Sequence, residues 1–241
     1  MSDKPIQGRL LLLGATAEVL EPYLRAAEKL AVATVCGVEA ANASGDALPL
    51  VFAQRDSALA IVQYALEHPL AGMVAADEQS APSCARAASM IGLRAHPPKA
   101  ADACLEKFAL RQKLSNAGFR SPLLGDAPAG RDIAVAALLD GGRMRVLGTI
   151  EDREVAVDVR RRALELGLRA ARSVGLFHGP LWLKLRLAGE ETWIIDIAAA
   201  IPVQAAAPLQ FKIPLVDEEV SLAEVIVRHA LGVDVTRVCR K

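Results

Sequence analysis

The sequence predicts an α/β protein: an amino-terminal parallel βαβ domain followed by a smaller α+β unit on antiparallel strands. Two observations carry this. Up to Ile91, short runs rich in leucine or β-branched residues alternate with helix-period segments, the pattern of a parallel sheet. Beyond Gly130 the strands come in pairs around turn signals, a connection open only to antiparallel strands. A chain of 241 residues, 53% of them hydrophobic, can bury one sizeable core or two small ones.

The first strand is the apolar run RLLLLG ending at Gly14, and a helix pattern covers 17–30. A β-branched run over 31–38 reads as the second strand, 57–67 as a helix and 71–76 as another strand. Asp77 falls at the end of that strand, on the carboxyl edge where parallel sheets bind ligands. A helix over 82–91 stops at Gly92, and Pro97-Pro98 separates it from a helix over 100–117 closed by Gly118. Ser121-Pro122 and a stretch rich in Gly, Pro and Asp up to Gly130 mark the domain boundary. The expected division is therefore a βαβ domain over 1–98, a linker helix and loop over 99–130, and an α+β domain over 131–241.

In the last of these, strands over 133–139 and 143–150 join at Asp140-Gly141-Gly142, and a helix covers 155–173. A second hairpin joins 181–187 to 192–198, and a final helix covers 221–231. The second hairpin can be read in register. Leu181, Leu183, Leu185 and Leu187 share one face, and so do Trp193, Ile195 and Ile197. A slip of one residue would set leucines against Asp196. The matching register pairs Lys184 with Asp196, Leu185 with Ile195 and Leu183 with Ile197, around an odd loop centred on Glu190. Lys184 and Asp196 then form a cross-strand ion pair.

Lys+Arg and Asp+Glu both number 28, which points away from nucleic acid and anionic membrane as partners. The arginine run Arg160, Arg161 and Arg162 reads as a solvated helix face. The apolar stretches are too short for a signal peptide or a membrane span. The four cysteines (Cys36, Cys84, Cys104, Cys239) are scattered without a CxxC pair, so reduced thiols and a cytoplasmic location are expected. The histidines lack metal-ligand spacing. Gly14-Ala15-Thr16 is not a dinucleotide fingerprint, and no serine sits in a nucleophile elbow. Cys84 reads as a small buried side chain, and His178 as a loop residue ahead of a strand. Asp77 and Glu78 are candidates for ligand contact, with helix capping as the alternative.

Two segments carry a resemblance. Between Ala76 and Pro122 come a strand end, a helix, Gly92-Leu93 before Pro97-Pro98, then Glu106-Lys107-Phe108-Ala109-Leu110-Arg111 with Leu114 and Gly118. Between Gly167 and Pro202 stand Gly179-Pro180-Leu181-Trp182-Leu183-Lys184 and Ile195-Asp196-Ile197-Ala198-Ala199-Ala200. In this order they resemble the ATP-grasp superfamily of the carboxylate–amine ligase type, and Ala230-Leu231-Gly232 is similar to that family's ending. The resemblance implies a Rossmann-like pre-ATP-grasp domain followed by a reduced ATP-grasp subdomain.

It also exposes departures. The family inserts a lid subdomain between linker helix and first hairpin, with a phosphate-binding lysine, a glycine-rich flap and adenine-reading residues. Here only the ten residues from Leu123 to Asp132 separate Pro122 from Ile133. The family's first metal-binding glutamate falls on Lys184, its second on Asp196, its asparagine on Ala198 and its arginine on Ala200. What the resemblance leaves is a vestigial nucleotide contact at Lys107 and Arg111 and a vestigial metal position at Asp196, with Lys184 supplying the positive charge there.

The expectation is a pseudo-ligase without a committed cofactor, acting as a binding or regulatory subunit beside a biosynthetic enzyme or as a homo-oligomer. Loss of a lid is expected to uncover apolar surface near residues 120–135 that such a partner covers. One alternative is an active ATP-dependent ligase using ATP and Mg, with Lys107 on phosphate and Asp196 on the metal. Another is a small-molecule binding module at the sheet edge near Asp77.

Overall fold

The computed structural model describes residues 7–43, 45, 47–52, 56–122, 127–141, 143–151, 155–206, 209, 211–213, 218–235 and 239–240. The amino-terminal sheet contains β1 (Arg9–Gly14), β2 (Thr34–Glu39), β3 (Leu48–Leu50) and β4 (Leu70–Ala75), all parallel, in the order β3-β2-β1-β4. All four leucines of β1 are fully buried, because a parallel sheet is covered on both faces. Helices α1 (Ala17–Lys29), α2 (Asp56–Glu67) and α3 (Ala81–Ile91) follow their strands. The edge strand β3 is an addition to the sequence reading. The second strand also starts later than expected, because Ala31 takes a left-handed conformation (φ 53°) and closes α1 with Val32 donating to the Ala27 carbonyl.

The linker departs from its expected form. In place of one helix over 100–117 there are two, α4 (Pro98–Leu105) and α5 (Lys107–Asn116), separated at Glu106 (φ −84°, ψ 85°). Ala100, Ala101 and Cys104 form the buried stripe of α4, which a straight helix would continue through 108 and 111. The buried residues of α5 are instead Leu110 and Leu114, so the stripe slips in phase and the backbone must turn between them.

The second sheet is antiparallel, in the order β6-β5-β7-β8, from β5 (Arg131–Asp140), β6 (Arg143–Glu151), β7 (Gly179–Ala188) and β8 (Glu191–Ala198). Helix α6 (Val157–Val174) joins its two hairpins. One face, with Ile133, Val135, Leu181, Leu183 and Leu185, packs into the core shared with α3 to α6. The other, with Ala136, Leu138, Trp182 and Ala198, packs on α1 and on α7 (Leu222–Ala230). A small sheet, order β10-β9-β11, is made of β9 (Phe211–Ile213), β10 (Glu218–Val220) and β11 (Cys239–Arg240). It also lies outside the sequence reading. Of the hairpin signal at Asp140-Gly141-Gly142, Gly142 falls outside the described residues. So do 123–126 of the linker loop.

The second hairpin corrects the expected register in part. Lys184 pairs with Asp196 and Leu183 with Ile197 as expected, but Leu185 pairs with Ile194. The connection is a two-residue turn, Gly189-Glu190, not an odd loop. Gly189 (φ 62°) supplies the positive φ at the first turn position, where a type II′ turn requires it. The extra residue is absorbed as a bulge at Ile195, and so Ile194, not Ile195, is buried against the leucines of β7.

His96 fastens the linker to β7. Its Nε2–H donates to the Pro180 carbonyl at 2.8 Å, and its Nδ1 accepts from the Phe177 N–H at 3.3 Å. Gly179 (φ 122°) leaves room for the ring: a Cβ there would sit 3.2 Å from Nε2. Burial lowers the His96 pKa to about 4, aided by His178 and His229 and opposed by the Pro180 hydrogen bond. The unfolded chain therefore binds a proton that the folded one refuses between the ordinary value of 6.5 and about 4. Stability is expected to fall by up to about 3 kcal/mol on this account as pH drops through that window. Urea unfolding at stepped pH should show this loss in the wild type and its absence in His96→Asn.

Candidate functional site

The candidate site lies where the carboxyl edge of the parallel sheet meets the end of β8. Ala15, Asp77, Glu78, Lys107, Ala200 and Pro202 line a cavity of about 510 Å³ there. Asp77 follows β4, and its carboxylate is spent on the backbone. Oδ2 accepts from the Ala15 N–H at 2.6 Å, and Oδ1 accepts from the Ser80 N–H at 2.8 Å. Asp77 thus ties the turn after β1 to the turn before α3, whose N-cap is Ser80.

Lys107 is the first residue of α5, placed there by the break at Glu106. Its ammonium bridges two carboxylates, lying 2.7 Å from Glu78 Oε2, 2.9 Å from Asp196 Oδ1 and 3.1 Å from Asp196 Oδ2. Burial works against this charge, but the hydrogen bonds and charges of Glu78 and Asp196 outweigh it and raise the Lys107 pKa. Asp196 also accepts from the Ile197 N–H at 2.9 Å.

The expected pairing of Asp196 with Lys184 is therefore corrected. The two residues are register partners, but the bulge at Ile195 re-aims the side chains, and Asp196 meets Lys107 instead. Lys184 is exposed, close enough to the Asp132–Arg186 ion pair to help hold the Asp132 carboxyl below its usual range. Arg111, one turn after Lys107, is half-exposed and takes no part in the cluster. Glu78 was legible as a candidate. Its place beside Lys107 was not, because the contact joins separate elements, the loop after β4 and the start of α5.

The donor set does not fit a magnesium–nucleotide site. Magnesium requires several oxygen ligands in octahedral array. Both oxygens of Asp196 face the Lys107 ammonium, Ala198 and Ala200 are buried and offer no donor, and Lys184 is a cation. Among the described residues no group of three or more His, Cys, Asp or Glu is arranged to hold a metal.

Of the stretch 120–135, where uncovered apolar surface was expected, 123–126 lie outside the described residues, and Ala129 is exposed. Ser121, Pro122 and Ile133 are buried, and Asp132 is paired with Arg186. Exposed apolar side chains flank the site itself: Leu105 is 37% and Phe108 62% exposed. Arg160 pairs with Glu151 at 2.6 Å and Arg162 with Asp158 at 3.2 Å, as an ordinary helix face does. No helix among the described residues is long and apolar enough to cross a membrane.

No family model matches the sequence, and no curated protein does. Solved structures do match. An L-amino acid ligase from Bacillus licheniformis aligns with a TM-score of 0.74 at 17% identity, over 93% of this chain and 74% of that one. A phosphoribosylglycinamide synthetase from Anaerococcus prevotii aligns with a TM-score of 0.74 at 14% identity, over 95% and 76%. An N5-carboxyaminoimidazole synthase from Aspergillus clavatus, in complex with ADP and 5-aminoimidazole ribonucleotide, aligns with a TM-score of 0.71 at 12% identity, over 96% and 78%. The fold is that of the ATP-grasp carboxylate–amine ligases. Within it, this chain is the shorter form, matching nearly all of itself to about three quarters of each neighbour.

Removing the bridging ammonium should leave two half-buried carboxylates facing each other. Lys107→Met is expected to lower the melting temperature, and Asp196→Asn to recover part of the loss. A double-mutant cycle should give a coupling of about 1 kcal/mol, discounted for solvent screening. The raised Lys107 pKa makes this contribution complete below the ordinary value of 10.5, and it is lost as pH rises through the folded value.

Proposed function

We propose that this chain is a pseudo-ligase: an ATP-grasp scaffold without its phosphoryl-transfer apparatus, acting as a binding or regulatory subunit in a biosynthetic pathway. One observation carries the reading. Lys107, the residue that the resemblance assigns to nucleotide phosphates, is held by Glu78 and by Asp196, the residue that it assigns to the metal. The two remnants of the nucleotide site satisfy each other. A polyphosphate arriving there would have to break a three-membered ion cluster, displacing Lys107 from both Glu78 and Asp196. The short connection from Pro122 to Ile133 supports the same conclusion.

The partner in this reading is a complete ligase, another enzyme of the pathway or a second copy of the chain. A cytoplasmic setting accords with Cys84 and Cys104, buried thiols without a disulfide.

A second reading, an active ligase whose lid comes from a partner chain, draws on Leu105 and Phe108. They leave exposed apolar surface beside Lys107, where a donated lid would rest. In that case ATP and Mg are the cofactors, and Lys107 leaves Asp196 when they bind. The third reading, a small-molecule binding module at the sheet edge near Asp77, is weakened by the two backbone hydrogen bonds that this carboxylate already accepts.

Calorimetric titration with ATP, with and without magnesium, tests the proposal together with a steady-state ATPase assay. The expected result is no magnesium-dependent heat at millimolar nucleotide and no turnover. Magnesium-dependent binding, or an ATPase activity that disappears in Asp196→Ala, would sink the pseudo-ligase reading in favour of the active ligase.

A further inference from the structure

A second cavity, also of about 510 Å³, lies on the other side of the β8 end. Neighbouring residues divide the two: Ala199 lines this one and Ala200 the candidate nucleotide site, and the two linings share no residue. Its walls come from β4, the start of α3, the β5–β6 turn, the start of β7 and the end of α7. Three of the four histidines in the chain line it: His96, His178 and His229.

The three imidazoles are not equivalent. His96 has both ring nitrogens engaged by backbone, so its role is structural. His178 accepts the Gly141 N–H at Nδ1, at 3.1 Å, which places the proton of the neutral ring on Nε2. Asp140 Oδ1 lies 3.4 Å from the same Nδ1, a contact that becomes an ion pair only when the ring is protonated. Burial lowers the His229 pKa, with Asp140 and the Leu139 carbonyl opposing it. His178 therefore keeps its Nε2 beyond the Gly141 contact.

Around them the charges are unequal. Arg94, Arg143 and Arg145 line the cavity against Asp140 and Asp234, leaving one positive charge in excess. The remaining wall is apolar, with Met73, Cys84, Leu138, Met144 and Ile226. An apolar chamber of this size with a few converging polar groups is the ordinary form of a small-molecule site. A single excess charge suits a monoanion, whereas a phosphate dianion would also meet Asp140 and Asp234. Guanidinium groups beside an imidazole donor match the two oxygens of a carboxylate.

We propose that this cavity binds a small monocarboxylate with an apolar body, its carboxylate held by Arg94, Arg143 and His178 and its body by the wall of β4, α3 and α7. The proposal goes beyond the pseudo-ligase reading and does not depend on it, since the site uses none of the nucleotide-site residues.

The test titrates the full chain with hexanoate, its neutral isostere hexanamide, and inorganic phosphate. Binding is followed by thermal shift and by the imidazole nitrogen resonances in NMR. Hexanoate is expected to bind at about millimolar affinity, given its few heavy atoms. It should shift the His178 and His229 resonances and leave His68 in place. Arg143→Gln, an exposed position, and His178→Gln should each weaken it about fivefold or more. Hexanamide binding as well as hexanoate would overturn the anionic assignment. Phosphate binding at the same resonances with equal affinity would overturn the monocarboxylate. Unmoved His178 and His229 signals at saturating hexanoate would overturn the site itself.

Discussion

An ammonium ion shared by two carboxylates holds the centre of this molecule. Lys107 meets Glu78 from the loop after β4 and Asp196 from β8, so a single charge ties the parallel sheet, the linker and the antiparallel sheet together. Charges drawn partly out of water must find partners, and here both carboxylates find the same ammonium. The geometry of both sheets where they meet has to respect that cluster.

Two irregularities bring it about. The chain turns at Glu106, which makes Lys107 the start of a helix and not the middle of one. The bulge at Ile195 re-aims Asp196 away from its register partner Lys184. Both are forced by burial. In the linker the apolar stripe slips between Cys104 and Leu110, and in the hairpin Ile194 replaces Ile195 against the leucines of β7. The backbone accommodates the core, and the polar side chains at the irregularities are carried to new partners.

The same junction separates two cavities. On one side the ion cluster of Lys107, Glu78 and Asp196 lies at the cavity. On the other, histidines and arginines surround an apolar chamber. Solved structures of the same fold share only 12–17% of their residues with this chain in the alignments above. In this chain the buried positions are the leucines of β1 and β7, alanines of α3 and α6, and the apolar face of α7. Such a pattern maintains a scaffold while leaving the chemistry of its sites open.

Periodicity and turn chemistry were enough to order the elements. Alternating strand and helix signals determined the parallel sheet, Gly141 and Gly189 located the two hairpins, and the parity of Leu183, Leu185 and Ile197 set Lys184 opposite Asp196. These are local properties, readable over a few residues. The short strands β3, β9, β10 and β11 carried too little pattern to be seen. The site was legible only as separate candidates. Lys107, Asp196, Glu78 and Asp77 could each be singled out, but which carboxylate Lys107 would neutralise depended on the turn at Glu106 and the bulge at Ile195. Both answer to packing between residues far apart in the chain. The three histidines around the second cavity come from the α3–α4 connection, the residue before β7, and α7, and no spacing relates them. Only the tertiary fold could bring them together, because contacts between distant segments are decided by how buried faces stack and not by the order of residues along any one of them.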